Sequence, residues 1–204
     1  MFITFEGIDG SGKSTQSRLL AGQLETLGHE LMLTREPGGS DGAEEIRRLL
    51  VEGDPDRWSA ETEILLFTAA RRDHLERRIA PNLKGGKLVI CDRFADSTRV
   101  YQGATRGDLR ALVDSLHAQM IGTEPDLTLI IDMDPETALD RGLARDSGED
   151  RFEEFGAGFQ QKLRAGFLGL AEEYPERCVV IDGNRAAAEI AQDVLATTLT
   201  RLGK

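Results

Sequence analysis

Gly7-Ile8-Asp9-Gly10-Ser11-Gly12-Lys13-Ser14 sets a lysine and a hydroxyl directly behind spaced glycines. That spacing, G-x-x-x-x-G-K-[ST], is a phosphate-binding loop. From Gly7 to Thr15, backbone N–H groups can curl around phosphate oxygens without a side chain in the way. Lys13 can reach the β- and γ-phosphates, and Ser14 can ligate Mg²⁺. The motif follows the apolar run Phe2-Ile3-Thr4-Phe5 and leads into Leu19, Leu20, Leu24 and Leu27 at helical spacing. Strand, loop and helix N-terminus are the context an anion site needs. The chemistry implied is binding of a nucleoside triphosphate.

Further polar residues follow other apolar runs. Arg35, in Thr34-Arg35-Glu36-Pro37-Gly38-Gly39, could grip a phosphate through two N–H groups. Taken alone it reads as a surface arginine before a turn. Asp92-Arg93-Phe94 ends another run. A carboxylate there can hold Mg²⁺ through water and orient an attacking group, while Arg93 neutralises developing charge. Phe67 and Arg71 are four residues apart and share a helix face, as a base-stacking ring and an edge-reading guanidinium would. On periodicity alone Phe67 is core and Arg71 a solvated cation. Arg141, Arg145 and Arg151 cluster in an acidic chain and could close over a triphosphate. Taken alone they make a solvated face.

These residues need a frame. Short, mostly apolar runs at 2–6, 30–34, 87–91, 127–132 and 178–182 predict strands of a parallel sheet covered on both faces. Helical patterns cover about 13–27, 42–52, 60–80, 108–121, 135–145, 157–173 and 186–202. Asp41 followed by Glu44 suits a cap for the second helix, and Pro135 a first helical position. The alternation predicts an α/β fold: a doubly wound, five-stranded parallel sheet in a three-layer αβα arrangement, of the P-loop NTPase class. Ligands in such sheets bind beyond the C-terminal ends of the strands, where the polar residues above fall. The glycine-rich, charged segment 146–158 reads as a flap within one domain over 1–204.

Composition narrows the classes. With 25 basic and 36 acidic residues the net charge is −11, which argues against general binding to nucleic-acid backbone. Cys91 and Cys178 lie in apolar runs and read as buried reduced thiols, which suits the cytoplasm. No secretory signal is visible and no stretch approaches 18 consecutive apolar residues, so no membrane association is expected. His29, His74 and His117 fit no catalytic pattern, and Trp58 and Tyr174 read as packing residues.

Taken in order, Phe5-Glu6-Gly7, Thr-Arg-Glu-Pro-Gly-Gly at 34–39, Phe-Thr-Ala-Ala-Arg at 67–71, Asp-Arg-Phe at 92–94 and Ser-Thr-x-x-Tyr-Gln-Gly at 97–103 resemble thymidylate kinases. Pro125-Asp126-Leu127-Thr128 is similar to that family's lead into its fourth strand. The resemblance implies transfer of a phosphoryl group from Mg-ATP to dTMP, for dTTP synthesis, by a homodimer. By position, Lys13, Asp92, Arg93 and Arg145 would serve catalysis. Residues 7–15, with Arg141 and Arg151, would hold ATP, and Ser14 and Asp92 the metal. Asp9, Arg35, Phe67, Arg71, Arg93, Ser97, Tyr101 and Gln102 would hold dTMP. Within that set, Asp9 would reach the 3′-hydroxyl, Arg35 and Arg93 clamp the phosphate, Phe67 stack on thymine, Arg71 bond its O4 edge, and Tyr101 pack where a ribose would carry its 2′-OH. Gly10 stands where some members carry an arginine, and Leu143 where a lid arginine is expected. The charge would then come from a lid over about 141–156, as in bacterial members. The rival readings are another P-loop kinase, a GTP switch (no Asn-Lys pair is present) and a dinucleotide oxidoreductase, for which the third loop glycine is missing.

Overall fold

The computed structural model describes residues 1–52, 57–104, 107–143 and 156–203. Five strands, β1 (Phe2–Glu6), β2 (Leu31–Arg35), β3 (Leu88–Asp92), β4 (Leu127–Asp132) and β5 (Cys178–Asp182), form one sheet in the order β2-β3-β1-β4-β5. All the pairings are parallel. The helices are α1 (Lys13–Thr26), α2 (Asp41–Val51), α3 (Ala60–His74), α4 (Ala80–Lys84), α5 (Ala95–Thr98), α6 (Arg110–Leu116), α7 (Pro135–Leu143), α8 (Gly156–Glu173) and α9 (Ala187–Arg201). The expected doubly wound, three-layer sheet is present, with each strand within a residue of its expected span.

Alternation along β1 divides the core. Ile3 and Phe5 face one side, packed with Leu20 and Leu24 of α1 and Ile190 and Val194 of α9. Phe2, Thr4 and Glu6 face the other. There Phe2 joins a cluster with Leu75, Ile79 and Phe94, and a second cluster gathers Ile8, Ile130, Met133 and Tyr101 with Leu163 and Phe167 of α8. This second face is apolar at its edges and polar at its centre. Thr4 and Thr128 share a buried 2.9 Å hydrogen bond, and Glu6 is fully buried.

Three helical details depart from expectation. Ser40, not Asp41, occupies the N-cap of α2, and the Glu44 carboxylate instead accepts from the Gly39 amide and pairs with Arg35. The helix expected over 60–80 runs on to Lys84 through a π-helical turn at Leu75–Ile79. That wider turn loosens the ladder just before Pro81, which cannot donate to it. A short helix, α5, followed by a π-helical segment, Arg99–Ala104, was not expected at all. Pro135 does open α7, where Asp134 caps by accepting from the Thr137 amide at 3.0 Å. Both cysteines are buried and free.

Candidate active site

The loop after β1 lies at the sheet's centre, so the residues ending β3 stand beside it. Gly7, Gly10 and Gly12 all take positive φ, and α1 begins at Lys13 with its N-terminus toward the loop. Lys13 is buried, and its Nζ donates to the Ile8 carbonyl at 2.7 Å. Burial, aided by Arg93, brings its pKa down to about 8, against the pull of Asp9, Asp92 and Glu6.

Register aligns the next groups. Asp92 pairs with Phe5 of β1 on one side and Arg35 of β2 on the other. Its Oδ2 accepts from the Ser14 hydroxyl, which binds the two expected metal ligands to each other. Among the described residues Asp92 Oδ1 is buried and receives no hydrogen bond. A carboxylate and a hydroxyl with spare acceptor capacity are the hard oxygen donors that Mg²⁺ takes from protein when phosphates and water complete its shell. The pair therefore fits that ion.

Arg93 is, among the described residues, the non-glycine residue with positive φ, at 69°. Such a conformation persists when its surroundings impose it. Here the Arg93 amide donates to Phe5 O at 2.9 Å, and the next amide, Phe94, donates to Glu6 at 2.7 Å. The guanidinium pairs with Asp9 and donates to Ser97 Oγ at 3.1 Å. Tyr101 donates to the other Asp9 oxygen at 2.6 Å and packs its ring under the Arg93 guanidinium. Ser97 in turn donates to Glu6 at 2.6 Å. Burial works against the Arg93 charge, but Tyr101, Asp9, Asp92 and Glu6 outweigh it and raise its pKa. Burial, with Asp96, pushes the Glu6 carboxyl up to about 7 despite Ser97 and Arg93.

Asp9, Arg93, Ser97 and Tyr101 thus form one cluster. Arg35 stands at the neighbouring strand end, about half exposed, and pairs with Glu44 at 2.6 Å. Arg71 is not the solvated cation that periodicity favours. It is buried, with Nε donating to Glu36 at 2.8 Å and Nη2 donating to Phe94 O and Thr98 Oγ1, each at 3.1 Å. Phe67, one turn earlier, is only partly buried. Gln102 is buried and donates to Glu63 at 3.2 Å. Arg141 is exposed, with Nη1 3.6 Å from Met133 Sδ. Arg145 and Arg151, and most of the expected lid, lie outside the described residues.

Sequence reading passed over Glu6, Glu36, Glu63 and His74, all of them buried and bonded to expected site residues or to each other. Signals for them existed. Glu6 is a charge at the end of an apolar strand, and His74 lies three residues past Arg71 on one helix face. Trp58 and Tyr174 do pack, Tyr174 under the guanidinium of Arg177 and Trp58 with its indole N–H on Leu49 O.

The sequence profile of the family described as Thymidylate kinase matches residues 5–194. The chain belongs to the thymidylate kinase family. It is 75% identical over 194 residues to a thymidylate kinase of Dinoroseobacter shibae, covering 95% of this chain and 94% of the relative. With that of Ruegeria pomeroyi it shares 68% identity over 204 residues, covering 100% of this chain and 97% of the relative. The fold is similar to the crystal structure of thymidylate kinase from Ehrlichia chaffeensis, with a TM-score of 0.78 at 38% identity over 97% of this chain and 98% of that one. The enzyme is a transferase of nucleotide biosynthesis that passes a phosphoryl group from ATP to dTMP, giving dTDP and ADP.

Proposed function

We propose a division of labour for that transfer. The loop over 7–15 and Lys13 hold the ATP phosphates, and Arg141 and Arg151 add to that hold from the lid. Ser14 and Asp92 hold Mg²⁺, which when bound supplies positive charge to the phosphoryl oxygens. Arg93 and Arg35 clamp the dTMP phosphate, with Arg35 exchanging its Glu44 partner for that anion. Asp92 keeps the acceptor oxygen in line. Asp9 takes the 3′-hydroxyl, and Tyr101 fills the place of a 2′-hydroxyl. Phe67 stacks on thymine, Arg71 donates to its O4, and Ser97 and Gln102 border the base and sugar. The lid over about 141–156 closes, brings Arg145 to the transferring group and excludes water.

One observation carries this reading. A left-handed arginine at the end of β3 is held by three neighbours, Asp9, Ser97 and Tyr101, against the loop. An arginine under that much constraint suits a fixed anion site. The enzyme is proposed as a single nucleoside monophosphate kinase domain that works as a cytoplasmic homodimer and feeds dTTP synthesis. Two buried free thiols suit a reducing compartment, and no helix among the described residues is long and apolar enough to cross a membrane.

The test is ADP release with Mg-ATP and a panel of dTMP, dUMP, dCMP, UMP and thymidine. Turnover with dTMP, weaker with dUMP and little with UMP or thymidine, is expected. Equal use of thymidine and dTMP would remove the arginine clamp, and equal use of UMP and dUMP would remove Tyr101 from sugar selection.

A further inference from the structure

His74 is fully buried, and neither the motif nor the proposed chemistry uses it. Its two ring nitrogens are both bonded, Nδ1 to Glu36 at 3.0 Å and Nε2 to Thr34 Oγ1 at 2.8 Å. A carboxylate can only accept, so Nδ1 carries a proton toward Glu36, while Nε2 and the Thr34 hydroxyl share the second bond. Glu36 divides its carboxylate, one oxygen for His74 and the other for Arg71 Nε at 2.8 Å. Arg71 Nη2 is spent on Phe94 O and Thr98. These bonds tie down one edge of the guanidinium and leave Nη1 as the donor directed away from it.

The end of β2, which carries Thr34, and the loop after it, which carries Glu36, are built around the imidazole. A Cβ on Gly39 would come within 2.4 Å of His74 Nε2 and 2.6 Å of Thr34 Oγ1, and the residue has φ +89°. The backbone therefore closes over this pair at a distance that glycine alone permits. One residue on, Ser40 Oγ donates to Asp73 at 2.7 Å and fastens the loop to α3 again.

We propose that His74 is a positioning residue for recognition of the acceptor base, acting through Glu36 to fix the Arg71 guanidinium. It rests on the reading that Arg71 donates to the base. A ring held at both nitrogens allows one Glu36 rotamer, and that rotamer sets which Arg71 hydrogen faces outward. A fixed donor selects a carbonyl at that point of the base and rejects an amino group, which has no lone pair to offer.

The experiment compares KM and kcat for dTMP, KM for ATP, and the preference for dTMP over dCMP, in H74Q, H74N, R71A and the double variant H74Q/R71A. Gln reaches toward Thr34 but not Glu36, whereas the Asn amide can replace Nδ1. H74Q is expected to raise the dTMP KM about tenfold, the loss of one charge-assisted bond, and to narrow the dTMP preference. KM for ATP stays within about twofold, and H74N recovers most of the dTMP affinity. In the R71A background H74Q adds little, since both changes act on one contact. If R71A leaves the dTMP KM unchanged, the reading of Arg71 falls and the inference with it. If R71A raises it and H74Q does not, or if H74N is as impaired as H74Q, the reading stands and the inference alone is overturned. Should H74Q fail to fold, T34V carries the test: a dTMP KM raised about threefold supports the relay, and an unchanged one overturns it.

Discussion

Arg93 is constrained at once in its backbone, its charge and its partners. Arg93→Ala and Arg35→Ala are each expected to lower kcat/KM for dTMP by about two to three orders of magnitude, with ATP affinity changed far less. Asp92→Asn should lower kcat by a similar factor. Steady-state kinetics with each substrate varied would check both, and near-normal turnover in all three would remove these roles. Glu6 gives a pH prediction. Its carboxyl titrates near 7 in the fold against an ordinary 4.5. The contribution of the protonated form to stability is fully present below 4.5 and lost as pH rises through about 7. Glu6→Gln removes that loss, so its unfolding free energy should gain on the parent as pH rises from 5 to 7.5, by at most about 1.4 kcal/mol per pH unit, and its melting temperature should rise relative to the parent's. A constant difference across the range would mean that Glu6 does not titrate there. That Lys13, Ser14 and Asp92 lie together was legible, because a local string or a strand end places them. The burial of Arg71 was not, because Glu36 and Thr98, its partners, stand 35 and 27 residues away and reach it only in the fold.

Among the elements, the loop after β1 and helix α7 are in direct contact. A Cβ on Gly10 would lie 1.9 Å from the Ala138 carbonyl oxygen, so this position cannot carry one without displacing α7 or the loop. Gly10→Ala is expected to weaken ATP binding more than tenfold with a smaller change in dTMP binding, which calorimetric titration of each nucleotide would read. Comparable losses for both nucleotides would point to general misfolding instead. The strands were the legible elements, since short apolar runs between turn residues admit little else. The segment holding Tyr101 and Gln102 was not read as helical. Its π-helical hydrogen bonds follow no 3.6-residue pattern, and its geometry comes from the ion pairs of Arg99 with Asp96, Asp114 and Glu124.

At the scale of the molecule, the doubly wound topology was readable from the alternation of runs, and the assembly was not. Sedimentation at micromolar concentration is expected to give twice the 22.4 kDa chain mass. A particle of single mass would remove the homodimer. A saturating mixture of dTMP and a non-hydrolysable ATP analogue should raise the melting temperature beyond either alone, as binding to the folded state requires.

The place of β1 has one more consequence, for synthesis of the chain. This strand pairs with β3 at Val89–Asp92 on one side and with β4 at Leu127–Ile130 on the other. It leaves the ribosome before both. Phe2, Ile3 and Phe5, all interior side chains in the finished enzyme, must wait while more than a hundred further residues are added. At about 5–20 residues per second that is roughly 6 to 24 seconds of exposed apolar strand. The nucleotide loop is made before β4, yet the strand that carries it gains its second partner only when β4 arrives, so nucleotide binding on a nascent chain is expected to report the arrival of that strand.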